Sequence, residues 1–150
     1  MALYVVTVDA IALAAATAKT IFEIGTPSTD RAKIKEWWVD FDGVSAAAIP
    51  GKVEVQRASA AVTTATTLAG DKYDAADGAA TAVTKHTTTT EGAGTLTAGS
   101  GWLKRIHPQT GFHYQAPLGE ELIIPVSAFF RIRCTFAAIV NVTFGFVWEE

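Results

Sequence analysis

The chain is poor in the residues that most often build redox, metal and disulfide sites. Cys134 is the single cysteine among 150 residues, and there are three histidines. An internal disulfide and a cysteine-based zinc site are therefore excluded. Because Cys134 lies in the alternating stretch FRIRCTF, we interpret it as a small buried hydrophobe. A catalytic thiol would need a neighbouring base that lowers its pKa.

Charge is also scarce, and it is not concentrated. Charged residues make up 18% of the chain, the formal net charge is -3, and the basic residues form no cluster. This argues against a phosphate-binding surface, so we expect no nucleic acid and no membrane surface as a partner. No apolar run approaches the roughly 18 residues of a spanning helix. The apolar start MALYVVTVDAIALAAATA lacks a basic region and contains Asp9, so we expect no secretory signal.

Motifs of catalysis are missing as well. There is no Gly-x-Ser-x-Gly elbow, and the glycines of GAGTLTAGSG come without a phosphate-binding lysine. Of the histidines His86, His107 and His113, the closest pair is separated by Pro108 and Gly111, which is poor spacing for a metal site. We therefore expect no enzyme, no catalytic residue, no metal site and no cofactor.

What the sequence does contain is alternation of apolar and polar residues with a period of two. Alternation of this kind predicts strands with one face on a core, and turn residues such as Gly25, Gly43, Pro50 and Pro125 separate the runs. We predict an all-β fold: a single domain over residues 1–150, an antiparallel β-sandwich of jelly-roll-like form. The strongest predicted core positions are Val53, Val55, Phe130, Ile132, Cys134, Phe136, Val140, Val142, Phe144, Phe146 and Trp148.

Residues 59–100 differ from the rest because they are rich in threonine, alanine and glycine. Threonine favours strands but supplies little apolar bulk. We interpret this stretch as thin edge strands and long surface loops, with a flexible insertion as the alternative.

The stretch EWWVDFDG offers two carboxylates on one side of a predicted strand. A calcium loop would need more oxygen ligands and a terminal glutamate, which DFDGVSAAAIPG does not supply. We therefore interpret Asp40 and Asp42 as solvent-facing, with Asp42-Gly43 forming a hairpin turn. Trp38 falls on the same side as Asp40, which indicates a subunit contact or a binding surface.

A second aromatic group lies in GWLKRIHPQTGFHYQAPLG, residues 101–119. Trp102, Phe112, His113, Tyr114 and Gln115 are candidates for a platform that binds a sugar or a protein partner. The alternative is a strand, a turn at Pro108–Gly111 and a returning strand, whose rings cover the edge of the sandwich.

Several blocks together resemble small structural proteins encoded among the virion genes of tailed bacteriophages. The blocks are IALAAATAKTIFEI, KIKEWWVDFDGVSAAAIPGKVEVQR, HPQTGFHYQAPLGEELIIP and RIRCTFAAIVNVTFGFVWEE, which cover most of the chain outside its Thr/Ala-rich middle. The shared motifs are an Ala-rich opening, an FDG turn, an HPQ-G turn, an RCT strand and a final Glu pair. This chain departs at TFAAIVNV, where the similar sequences carry proline before the Ala pair.

The resemblance implies a capsid decoration or cement protein, a β-sandwich homotrimer on the capsid exterior that binds the major capsid protein without a cofactor. A minor tail or fibre protein is the close alternative. A carbohydrate-binding module using Trp38, Trp102 or Tyr114, with a glycan as ligand, is a different class.

The apolar start of the chain is a candidate docking arm. Residues 1–9, with Leu3, Tyr4, Val5 and Val6, are hard to place on a lone monomer. We expect them to add a strand to a neighbouring subunit or to the shell. Deleting them should then abolish particle binding and leave the fold intact.

Overall fold

The structure, a computed structural model, describes residues 1–63, 65–88 and 102–150. Within those ranges, no helix is long and apolar enough to cross a membrane. The strands, in chain order, are β1 (Leu3–Leu13), β2 (Lys19–Gly25), β3 (Ala32–Phe41), β4 (Gly51–Ala58), β5 (Thr66–Leu68), β6 (Asp71–Lys72), β7 (Val83–His86), β8 (Leu103–Ile106), β9 (Gly111–Gln115), β10 (Leu122–Ile124), β11 (Phe129–Thr135) and β12 (Val140–Glu149).

The strands form two antiparallel sheets packed against each other. Sheet A has the order β10-β3-β12-β1-β6, and β9 pairs with β3 as well. Sheet B has the order β5-β7-β2-β11-β4-β8. The predicted all-β antiparallel sandwich is confirmed.

The core lies between the sheets, where the predicted alternation places it. In β12, Phe144, Phe146 and Trp148 are fully buried, and Phe146 packs against Phe22 of sheet B with ring centroids 4.4 Å apart. The centroid of the Phe130 ring lies 6.0 Å from that of Phe146. Since a buried aromatic ring removes about 150–250 Å² from water, this group contributes a large share of the stability.

The N-terminal segment is part of the sandwich, which corrects the docking-arm hypothesis. Strand β1 lies between β12 and β6, with Leu3 opposite Glu149 and Val5 opposite Val147. Tyr4 and Val6 are each 3% exposed, and the Tyr4 ring stacks on Trp148 at 5.5 Å. Residues with this pairing and burial cannot leave to extend another sheet without opening the core.

Strand β1 is one long strand with an irregularity in its middle. Its pairing register with β12 shifts between Val8 and Ile11. Ala10 adopts a positive φ of 52° at this irregularity. The bulge restores the alternation, so that Ile11 and Leu13 both face the core.

The described part of the Thr/Ala/Gly-rich segment lies at the edges of both sheets. Strands β5 and β7 extend sheet B beyond β2, and β6 pairs with β1 of sheet A. Position 64 and residues 89–100 of the predicted segment lie outside the described residues.

A buried ion pair holds the start of this segment against the outer face of sheet B. Arg131 Nε donates to Glu23 Oε2 at 2.6 Å, and the backbone N–H of Val62 donates to both oxygens of Glu23 at 3.0 Å. A second Arg131 nitrogen donates to the carbonyl of Ala60 at 2.5 Å. Arg131, placed by the alternation on the solvent side, is therefore fully buried.

Candidate functional site

The pairing of β9 with β3 divides the predicted aromatic platform into two sites. Trp38 lies opposite His113, whereas Trp37 lies opposite Tyr114. Because neighbouring residues of a strand point to opposite faces, Trp38 and His113 lie on the outer face of sheet A. Phe112 and Tyr114 lie on the inner side with Trp37. A single platform of Trp102, Phe112, His113 and Tyr114 was therefore wrong.

The first site, which we call the outer site, is a shallow open pocket of about 480 Å³ on sheet A, within the size range of ligand sites. Its lining includes Glu36, Trp38, Asp40, Gly111 and His113. Trp38 owes its position to Gly145 of β12, since a Cβ added to that glycine would lie 1.9 Å from Cζ2 of the ring. Glycine therefore allows the indole to lie directly on the neighbouring strand.

Polar groups surround the indole of the outer site. His113 Nε2 contacts Glu36 Oε1 at 2.7 Å, and the His113 ring meets Trp38 edge-on at 6.3 Å between centroids. Asp40 follows Trp38 on the same face of β3, and its Oδ1 lies close to Gly111. The outer site thus has one indole, with a carboxylate before it and another after it along the strand.

The second site, which we call the edge cleft, opens between β8 of sheet B and β9 of sheet A. It measures about 410 Å³ and is lined by Trp37, Val53, Val55, Trp102, Leu103, Lys104, Phe112 and Tyr114. The rings of Trp102 and Tyr114 pack edge to face at 4.2 Å. Desolvation by burial, together with the negative charge of Glu120, raises the pKa of Tyr114. Gln115 is exposed on β9, opposite Glu36, and does not line either site.

The lining of the edge cleft is mostly apolar, and its one charged side chain, Lys104, contacts an aromatic ring. Lys104 Nζ lies 4.9 Å from the centroid of the Phe112 ring, a cation–π distance. The rings of this cleft therefore cover the open side of the core, as the strand–turn–strand alternative predicted. That alternative is corrected in one respect, because β8 and β9 belong to different sheets.

The DFDG motif holds loops together. Asp42 accepts from the backbone N–H of Asn141 at 2.7 Å and from its side-chain amide at 2.6 Å. These hydrogen bonds, that of the side-chain amide first, lower the pKa of Asp42. The Gly43 N–H donates to the carbonyl of Pro108 at 2.7 Å. A Cβ at Gly43 would lie 2.6 Å from Pro108. Glycine is therefore required here by the close approach of Pro108 and not by a positive φ.

The hairpin predicted at Asp42-Gly43 is wrong. Strand β3 belongs to sheet A and the next strand, β4, belongs to sheet B. The turn is therefore the start of a connection that crosses from sheet A to sheet B. Within this connection, Gly43 of the DFDG motif contacts Pro108 of the HPQ turn.

A third surface, which sequence reasoning missed, is one end of the sandwich. We call it the loop end and define it as residues 14–18, 43–50, 107–110 and 137–139, which connect strands of sheet A to strands of sheet B. These residues include no Asp, Glu, Lys or Arg; Asp42, the first residue of the connection between β3 and β4, lies beside them and accepts hydrogen bonds from Asn141. Val44, Ile49 and Ile139 are 93%, 69% and 77% exposed. The uncharged runs AAATA, VSAAAIP and AAI were the signal that could have identified this surface.

The other candidate residues, His86, His107 and Cys134, each have separate surroundings. His86 Nδ1 contacts the hydroxyl of Thr87 at 2.7 Å, and His107 accepts from the Gln109 N–H at 3.2 Å. The parts of the chain that the structure describes contain no group of three or more His, Cys, Asp or Glu side chains arranged for a metal ion. Cys134 is buried, and desolvation raises the pKa of its thiol.

Comparison with known proteins adds no assignment: no protein-family model, no curated protein and no solved structure matches this chain.

Proposed function

We propose that the protein is a structural protein of a tailed-bacteriophage virion, which binds the outer surface of the capsid through its loop end and reinforces the shell. The observation that carries the proposal is the apolar, uncharged loop end. Apolar side chains that are exposed together mark contact surfaces. Covering them stabilises a complex by about 25 cal/mol for each Å² of apolar area that is removed from water. The major capsid protein is the proposed partner.

The contrast between the two ends of the sandwich supports this choice of surface. The opposite end carries Asp30, Arg31 and Glu120, all in connections between strands. A protein seated by its loop end therefore turns its charged end away from the shell, which keeps the particle surface hydrated. Occupation of threefold positions by a homotrimer is part of the same proposal.

The residues that carry the resemblance to phage proteins have structural roles at both ends of the sandwich. The FDG turn contacts the HPQ turn through Gly43 and Pro108. Glu150 of the final Glu pair accepts from the backbone N–H groups of Thr81 and Ala82, at 2.6 and 3.1 Å. These motifs therefore hold one particular arrangement of loops in place, which supports a shared fold.

We also propose that the sandwich is a jelly roll. When β5, β6 and β7 are set aside, the sheets have the orders β9-β3-β12-β1 and β8-β4-β11-β2, with β10 beside β9 on the same edge of β3. Two interlocked Greek keys give this order. Jelly rolls occur in viral capsid and lectin domains, so the order supports a virion role.

The test uses two charged substitutions of matched exposure. Val44→Asp at the loop end should abolish sedimentation of the protein with capsids stripped of it, because an unpaired carboxylate would be buried at the contact. Leu118→Asp is the control, since Leu118 is 95% exposed in the connection between β9 and β10, outside the loop end. Equal binding by both variants would refute the loop-end contact.

Quantitative mass spectrometry of purified virions tests the location. A copy number comparable to that of the major capsid protein supports decoration of the whole shell. A few copies per particle would instead place the protein in the tail or a fibre, and absence would refute a virion role.

A further inference from the structure

We propose that the outer site binds neutral saccharides, with the indole of Trp38 as the platform and Glu36 and Asp40 as hydrogen-bond acceptors on either side. This inference is independent of the loop end and of any role in a virion. It rests on the geometry of β3, β9 and β12.

The platform is held in place by its neighbours. Trp38 lies on Gly145, and the edge of the His113 ring meets it at an interplanar angle of 79°. The rest of the indole lines an open pocket, so a flat apolar surface is available to a ligand. A pyranose ring has a face of C–H groups that packs on such a surface by dispersion and by release of water.

The acceptors lie where the hydroxyl groups of a stacked sugar would point. Alternate residues of a strand are separated by about 6.6 Å, so Glu36 and Asp40 lie at comparable distances on opposite sides of Trp38. Each carboxylate offers two acceptor oxygens, which suits two adjacent hydroxyl donors. Contact with His113 holds one oxygen of Glu36 and fixes the direction of the other.

The charge of the site selects the class of saccharide. Two carboxylates repel sialic acids and uronic acids, and they accept hydrogen bonds from uncharged hexoses. A quaternary ammonium ligand suits the charge but not the shape, since cages for such cations use several aromatic rings and the outer site has one indole face. The edge cleft contains more rings, but carboxylates do not line it.

The experiment follows the indole N–H resonances of the full chain by NMR during titration. The probes are neutral gluco-, manno- and galacto-oligosaccharides, with a polygalacturonate oligomer and choline chloride as comparisons. The four tryptophans give four indole signals, which Trp→Phe variants assign. We expect a saturable shift of the Trp38 signal with at least one neutral probe, while the Trp102 signal stays in place.

Variants separate a sugar site from a general surface effect. Trp38→Ala should weaken the affinity about tenfold or more, and Trp102→Ala should leave it unchanged, a tenfold change being about 1.4 kcal/mol. Gly145→Ala should also weaken binding, although it removes no side chain from the outer site. The Cβ of the new alanine would displace the indole of Trp38. A Trp38 signal that no neutral probe moves, or that polygalacturonate or choline moves as strongly, would overturn the proposal. A shift of Trp102 alone would overturn it too.

Discussion

Removal of one partner of the Glu23–Arg131 pair tests the account of sheet B most directly. Both side chains are almost completely buried, at 1% and 0% exposure. Arg131 also holds the carbonyl of Ala60, and Glu23 holds the N–H of Val62, so substitution of Glu23 removes the ion pair together with one of these two anchors. Breaking a buried pair in this way costs about 3–5 kcal/mol, because the remaining charge stays in a poorly solvated site.

The perturbation is Glu23→Leu, measured by urea unfolding. We expect the free energy of unfolding to fall by about 3–5 kcal/mol, and the melting temperature to fall by about 2–4 °C for each kcal/mol. The double variant Glu23→Leu/Arg131→Met should regain part of the loss. It leaves the N–H of Val62 without its acceptor, which costs about 1–3 kcal/mol, so recovery is incomplete.

The control is Lys35→Met, which removes two partly exposed ion pairs. Lys35 contacts Glu121 at 2.9 Å and Glu149 at 2.5 Å, and its side chain is 27% exposed, so we expect a loss of about 1 kcal/mol or less for each pair. The reasoning is refuted if Glu23→Leu costs no more than this control. It is also refuted if the double variant is no more stable than the single one.

Further predictions concern the N-terminus, the acid side of the stability curve and the thiol. Deletion of residues 1–9 should leave an unfolded chain by circular dichroism, because it removes Tyr4 and Val6 from the core; a folded product would restore the docking-arm hypothesis. Hydrogen bonding to Lys35 lowers the pKa of Glu121 from 4.5 to about 2. The stabilisation from this group is therefore complete above about pH 4.5 and is lost as the pH falls through about 2, so the urea midpoint of Lys35→Met should fall less on acidification than that of the wild type. Cys134 should react with Ellman's reagent only after unfolding, since burial suppresses its thiolate, and fast reaction of the native protein would contradict its burial.

Local alternation was sufficient to predict strands and their buried faces. Val53, Val55, Ile132 and Phe144 are buried as the period of two requires, and Trp37 faces the core while Trp38 does not. This works because the side-chain period of a strand depends on the backbone alone. The sandwich followed from the number of such runs and from the turn residues between them.

Pairing between strands could not be predicted in the same way. Asp42-Gly43 has the composition of a hairpin turn, yet the chain crosses to the other sheet because Gly43 packs on Pro108. The burial of Arg131 depends on Ala60 and Val62, which are remote in sequence. Both outcomes are decided by contacts between distant segments, which no local pattern contains.

The division of the aromatic residues has a consequence for the two proposed surfaces. Adjacent residues of a strand must face opposite ways, so Phe112, His113 and Tyr114 could never have formed one platform, whatever their partner strand. Pairing with β3 then brings His113 to Trp38 on the outer face of sheet A, whereas the loop end lies beyond the ends of the strands, with Asp40 and Gly111 at the border between the two surfaces. A copy bound to a shell by its loop end would keep the indole of Trp38 open to solvent. Contact with a capsid and recognition of a saccharide would therefore use different residues of one molecule, and Val44→Asp should leave saccharide binding intact just as Trp38→Ala should leave capsid binding intact.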